Sequence, residues 1–234
     1  MVIVLPNNSN QFVMTIQQKI LIGILVVANI FTAMSLGGQL KEIDLSKNPG
    51  QYLATLPFAL GILLILACRE LSLRWITRKY NVSLTWPSLL PSLQLGSFGA
   101  FSRICSSLPN RQVLFDIGIA PAITGGLLSL TLLIAGLFLS ANHTGGIEIP
   151  TQIFHASVLV GSLAKLIMGN LLNIELVDIH PLVILGWIGL VITALNLMPA
   201  GQLDGGRIVQ AVYGRKTAGW TTIATLIFLA IAAL

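Results

Sequence analysis

A chain of 234 residues that is 55% hydrophobic and only 9% charged, with a mean hydropathy of +0.87, lacks the polar side chains needed to cover a soluble domain of its size. It reads as a polytopic membrane protein. The formal charge of +5 and pI near 9.6 are the lysines and arginines of cytoplasmic loops, which removes nucleic acid from the candidate partners, and two cysteines in different contexts, Cys68 and Cys105, imply no disulfide framework.

In chain order, residues 1–19 form an N-terminal segment without a basic region and cleavage site, so Ile20–Leu36 is expected as a retained first span. Leu53–Cys68, Ile117–Leu139 and Pro181–Leu197 are the other stretches that approach bilayer length. Ile153–Gly169 is interrupted by His155, Ser157, Ser162 and Lys165, and reads as a re-entrant, interfacial or bundle-packed helix. Trp220–Leu234 is short for a span and is expected to be an incomplete one, which makes residues 20–234 a single transmembrane domain with a truncated last helix.

Charge sets the orientation. Six basic residues against the single acid Glu70 lie between Arg69 and Phe115, and Arg207, Arg215 and Lys216 follow Pro199 against Asp204. The loops around Glu148 and around Glu175 and Asp178 carry only acids. The positive-inside rule therefore puts Glu70 and Asp204 near the same, cytoplasmic side. Between them, Trp86-Pro87 and Leu90-Pro91 stop a helix, and Gln94–Ser102 is short, glycine-marked and partly alternating. That segment is either a small hairpin or strand, able to add an extended segment along its edge, or an amphiphilic surface loop.

Two stretches carry chemistry. Asn196-Leu197-Met198-Pro199-Ala200-Gly201-Gln202-Leu203-Asp204-Gly205-Gly206 closes an apolar run. Pro199 breaks the helix, the glycines permit a tight turn, and Asn196 can bond the freed carbonyls, all without catalysis. The run nevertheless resembles the Asn-x-x-Pro-x-x-x-Leu-Asp-Gly-Gly signature of site-2 proteases, peptidase family M50. The resemblance extends over most of the chain from about Leu53. Its pattern is that of the plastid and cyanobacterial branch named for ethylene-dependent gravitropism deficiency and a yellow-green phenotype. Arg74-Trp75, Lys79-Tyr80, Leu84-Thr85-Trp86-Pro87-Ser88, Gly96-Ser97-Phe98-Gly99-Ala100, Leu108-Pro109-Asn110-Arg111, Phe115-Asp116-Ile117, Ile179-His180-Pro181 and Gly186-Trp187 recur in matching order. Ala120-Pro121-Ala122 departs from the family's Ala-Gly-Pro.

The resemblance implies a zinc ligand at Asp204, a general base at Glu70, and a substrate cleft shaped by Asn196, Pro199 and Gly205. It also implies two histidine ligands on one helix face, and there the chain departs: those positions are Arg69 and Leu73. A subgroup of this branch has lost the same histidines. Arginine stays protonated and offers no lone pair, and leucine offers no donor at all. Cys68 is rotated about 100° from Arg69 on a helix and so faces elsewhere. His143 lies in an external loop, and His155 and His180 lie near the outer ends of their segments. Without a metal, Arg69 either neutralises Asp204 or sits at the wet interface, and Glu70 has Arg74 as its i+4 partner.

The expectation is an all-α membrane bundle of the site-2-protease type with a small strand-like membrane-surface element. Its function would be that of a zinc-lacking pseudoprotease holding single-span membrane proteins or peptides in the bilayer, with no cofactor. The alternative is an active intramembrane zinc protease with non-standard ligands. A transporter is the third class, and no inverted repeat supports it. The membrane implied is a cyanobacterial plasma or thylakoid membrane, or a plastid membrane.

Overall fold

The computed structural model describes residues 15–40, 52–142, 146–152, 157–169 and 176–232. His143, His155 and Glu175 fall outside them. The order is α1 (Ile16–Leu40), α2 (Tyr52–Lys79), β1 (Ser88–Ser92), β2 (Gly96–Phe101), α3 (Arg111–Asn142), β3 (Ile147–Pro150), α4 (Val158–Met168), β4 (Leu176–Ile179), α5 (Pro181–Asn196), α6 (Asp204–Tyr213) and α7 (Arg215–Ala232). The first three expected spans are present as helices long and apolar enough to cross a bilayer: Ile16–Leu40, Thr55–Lys79 and Arg111–Ala141. The first begins inside the expected N-terminal segment, at Ile16.

The remaining helices are shorter. The 11 residues of α4 rise about 16 Å, too little to cross, which fits the re-entrant or packed reading of that stretch. Ser157 caps it by accepting from the Val160 amide. The 16 residues of α5 form the bundle's central element, with Val183, Ile184, Leu185, Ile188 and Ile192 buried. Protein, rather than length, covers it. His180 is its N-cap: the imidazole accepts from the Leu182 amide, so it is the helix-end residue the sequence suggested. The last helix, α7, starts five residues before Trp220 and buries none of its side chains.

The helices α3 and α5 run antiparallel along a seam of small residues. Gly126, Ser129 and Gly136 on α3 face Thr193, Gly189, Gly186 and Val183 on α5. Such seams let backbones approach where no hydrophobic force drives helices together, because lipid is as apolar as the core. At Gly186 a Cβ would stand 2.7 Å from both the Leu133 Cα and the Ser129 carbonyl oxygen. At Gly126 the nearest atom would be 3.7 Å away.

Strands β1 and β2 form an antiparallel hairpin, with a register shift between Leu90 and Pro91 where proline cannot donate to a ladder. An isolated bridge, Leu84 to Ile104, prolongs its base. The hairpin lies alongside α1. Its base shares a cavity with Gln18, Leu21 and Ile22, while its tip meets Asn29 and Thr32. Eleven helical residues separate Gln18 from Asn29, so the tip is about 16 Å further along α1 than the base. At such depth backbone groups need internal partners. Thr32 donates to the Gly96 carbonyl at 2.7 Å, Asn29 donates to the Ser97 hydroxyl at 3.0 Å, and Asn196 donates to the Phe98 carbonyl at 3.3 Å.

A second two-stranded sheet, β3 with β4, was not expected; it sets Glu148 directly opposite Asp178. On the other side of the bundle, the Tyr80 hydroxyl donates to Asp116 at 2.7 Å, tying the end of α2 to α3. That bond to a carboxylate pushes the half-buried phenol above its ordinary range.

Thermal unfolding in detergent tests the seam. Gly186→Ala is expected to cost about 1–3 kcal/mol through overpacking against backbone, and Gly126→Ala to leave the midpoint within experimental scatter.

Candidate functional site

The long α2 carries Arg69 about 15 Å from its Lys79 end, at membrane depth. Arginine there is costly unless it is fully paired. It is paired: Nη2 donates to Asp204 Oδ2 at 2.7 Å and Nη1 to Thr193 Oγ1 at 3.1 Å. Arg69 is 5% exposed and Asp204 8%. Of the two sequence readings of Arg69, the wet interface is therefore excluded and the counter-ion holds. Gly125 on α3 makes the room, since a Cβ there would stand 2.6 Å from the Arg69 Cγ.

Asp204 reaches this point because the loop after α5 folds back tightly. Asn196 donates to the Ile192 carbonyl at 2.7 Å and closes the helix end before Pro199. The amide of Leu203 then donates to the Ala200 carbonyl at 3.1 Å, turning the chain into α6, whose first residue is Asp204. A carboxylate in a first helical turn is favoured by the helix dipole. Gly205 and Gly206 are required by contact: a side chain on Gly205 would enter the Leu197 and Met198 carbonyls, and one on Gly206 those of Ala200 and Gly201.

Glu70 faces the hairpin base. Its Oε1 accepts from Arg74 Nε at 2.9 Å, the expected i+4 pair, and from Ser102 Oγ at 2.8 Å. Arg74 also lies over the Trp86 ring, 5.6 Å from its centroid. Ser102 has a second function: its carbonyl accepts from Arg207 Nη2, so one residue at the end of the hairpin joins α2 to α6. Ser102 and Arg207 are both buried. Leu73, the other position at which the resemblance implied a histidine ligand, is 4% exposed and packs with Val82, Val113 and Ile117.

Arg69, Glu70, Leu73, Asn196 and Asp204 thus line one void, with Pro121 of α3 and Arg207. The altered Ala120-Pro121-Ala122 run remains helical and packs against the site. The void is about 20 Å³, room for a single water. Pro199 and Gly205 lie in the adjoining turn and helix start and do not line it. Sequence reasoning missed Thr193, Gly125, Ser102 and Arg207. Only Arg207 carried a signal, as a charge beside the signature run.

Do these residues fit zinc? A catalytic zinc takes three nitrogen, sulfur or oxygen donors at about 2.0–2.3 Å. Asp204 offers one, and its Oδ2 is held by a guanidinium. The Arg69 position adds a fixed positive charge, Leu73 adds no donor, and Glu70 is held by Arg74 and Ser102. Among the described residues no three His, Cys, Asp or Glu side chains converge. The donor set does not fit the metal.

The ion pair is testable by stability. Arg69→Met, which leaves Asp204 buried and unpaired, is expected to cost about 3–5 kcal/mol, whereas Arg69→Met/Asp204→Asn is expected to lose clearly less than the sum of the two single changes. Chemical unfolding of all four proteins in detergent gives the coupling.

The profile of peptidase family M50 matches residues 57–234. The "Probable zinc metalloprotease EGY2, chloroplastic" of Arabidopsis thaliana is 38% identical over 180 residues, covering 76% of this chain and 32% of that protein. The "Probable zinc metalloprotease EGY1, chloroplastic" of the same plant is 40% identical over 167 residues, 70% of this chain and 30% of that one. The "Probable zinc metalloprotease EGY3, chloroplastic" of Oryza sativa subsp. indica is 33% identical over 187 residues, 74% and 32%. The chain therefore spans about a third of the length of these curated relatives. No solved structure matches it. The match covers well over half of the chain, and this multi-pass membrane protein belongs to peptidase family M50, on the EGY branch of the site-2 proteases.

Proposed function

We propose that this chain is a pseudoprotease: it holds transmembrane segments of single-span membrane proteins or peptides at the former active site and does not cut them. The observation that carries the reading is the buried pair of Arg69 with Asp204 at 2.7 Å, a guanidinium where the family places metal and ligand. Cleavage needs an activated water and a place for the developing oxyanion. Here Glu70, the base position, is held by Arg74 and Ser102, and the void beside it admits one water.

Binding has separate support. The hairpin keeps an extended backbone beside the site, of the kind to which an unwound helix can add as a further strand. Asn196, Pro199 and Gly205 maintain the turn that faces it. Retention of that turn alongside lost ligands is consistent with selection for the cleft without the chemistry. The membrane of residence proposed for the chain is that of a plastid, or of a cyanobacterial plasma or thylakoid system.

Elemental analysis of detergent-purified protein is expected to give zinc at background in both wild type and Asp204→Ala. A single-span peptide with a photo-crosslinker should be captured intact, and equally with or without chelator. Arg69→His/Leu73→His, which restores the missing donors, should take up close to one zinc per chain. Stoichiometric zinc in the wild type, lost in Asp204→Ala and accompanied by peptide cleavage, would restore the protease reading.

A further inference from the structure

Beside the former active site lies a much larger cavity, about 510 Å³, between the first turns of α1 and the hairpin base. One wall is Gln18, Leu21 and Ile22; the other is Trp86 and Leu90, with Arg103 beside them. Two features distinguish it from the small void. Its α1 wall lies outside residues 57–234, the part matched by the family profile. Its charge is also of one sign: the residues lining it include Arg103 and Arg207 and no carboxylate.

The two arginines differ. Arg207 is buried and donates to the Ser102 carbonyl. Arg103 is exposed, and among the described residues its guanidinium has neither a hydrogen bond nor an ion pair. An exposed, uncommitted guanidinium on a cavity whose lining combines Leu21, Ile22, Trp86, Leu90 and Phe101 with neutral polar side chains calls for an anion carried on an apolar body. Leu21 on α1 is 56% exposed and Leu90 43%, so the apolar walls run out onto the outer surface of the bundle. Trp86, 62% exposed, has the amphipathic ring typical of the headgroup level. The surrounding segment, Arg69 to Phe115, is the basic one, which faces the leaflet where anionic lipids attract such charge.

We propose that this cavity is a binding site for one anionic phospholipid, with its phosphate on Arg103 and an acyl chain laid between α1 (Leu21, Ile22) and Leu90 of the hairpin. Charge complementarity favours lipid over a transmembrane peptide, whose apolar helix would leave Arg103 without an anion. The proposal does not rest on the peptide-holding function above, although the cavity and the small void share Phe101, Ser102, Gln202 and Arg207. Because both use the hairpin base, the lipid would occupy the approach to the cleft from α1.

Native mass spectrometry of the detergent-purified chain, titrated with phosphatidylglycerol or with phosphatidylcholine, tests this. A single phosphatidylglycerol adduct is expected, retained in preference to phosphatidylcholine. Arg103→Gln, which disturbs no intramolecular bond, should weaken it about tenfold or more. Leu90→Trp, which fills the cavity, should do the same without touching charge, and Arg111→Gln, an exposed arginine outside the cavity, should leave it unchanged. Equal retention of the two lipids, or an unaltered adduct in Arg103→Gln, overturns the proposal. So does Arg103-dependent capture of an acidic single-span peptide without any preference for phosphatidylglycerol, which would make the cavity a peptide site.

Discussion

The pairing of Arg69 with Asp204 is the constraint around which the rest of the molecule is arranged. Neither charge is tolerable alone at that depth, and each comes from a segment that the other fixes: Arg69 from a long helix, Asp204 from a loop folded back through a glycine pair. Thr193 takes the second guanidinium nitrogen, so α5 is drawn into the same unit. Gly125 gives up its side chain to house the arginine. Four elements that a metal would otherwise organise are organised by one ion pair.

A second polar unit, Glu70 with Arg74, Ser102 and Arg207, fastens the hairpin to the helices on either side. The two units share no hydrogen bond among those described, yet they meet in the same small void. Glu70 is committed to holding the hairpin base in place. Its retention is therefore explained by structure as readily as by ancestry.

Much of this was legible in the chain. The span positions follow from hydropathy, and the Arg69–Asp204 pair was one of two readings of a fixed cation standing where a lone-pair donor is absent, the other being the wet interface; only the burial of both side chains decides between them. Glu70 with Arg74 follows from helical spacing. Other features were not legible. The depth of the hairpin is set by bonds from Asn29 and Thr32, more than sixty residues away in sequence, which no local pattern encodes. Strands β3 and β4 are four residues each, too short for alternation to stand out, and their register opposes Glu148 and Asp178, a pairing that propensity disfavours. Gly125 acts by what it lacks, and an empty Cβ position leaves no trace in a periodicity.

The bonds from α1 to the hairpin tip also bear on how the protein is made. During synthesis α1 enters the bilayer before Gly96 and Ser97 have left the ribosome, so Asn29 and Thr32 are first exposed to hydrocarbon with their native acceptors still missing. The early helix must wait with its polar side chains turned to its own backbone, to water or to the insertion machinery until the hairpin arrives. Assembly of α1 is therefore non-local, and the helix completes its native bonding only after residues nearly seventy positions later have been threaded beside it.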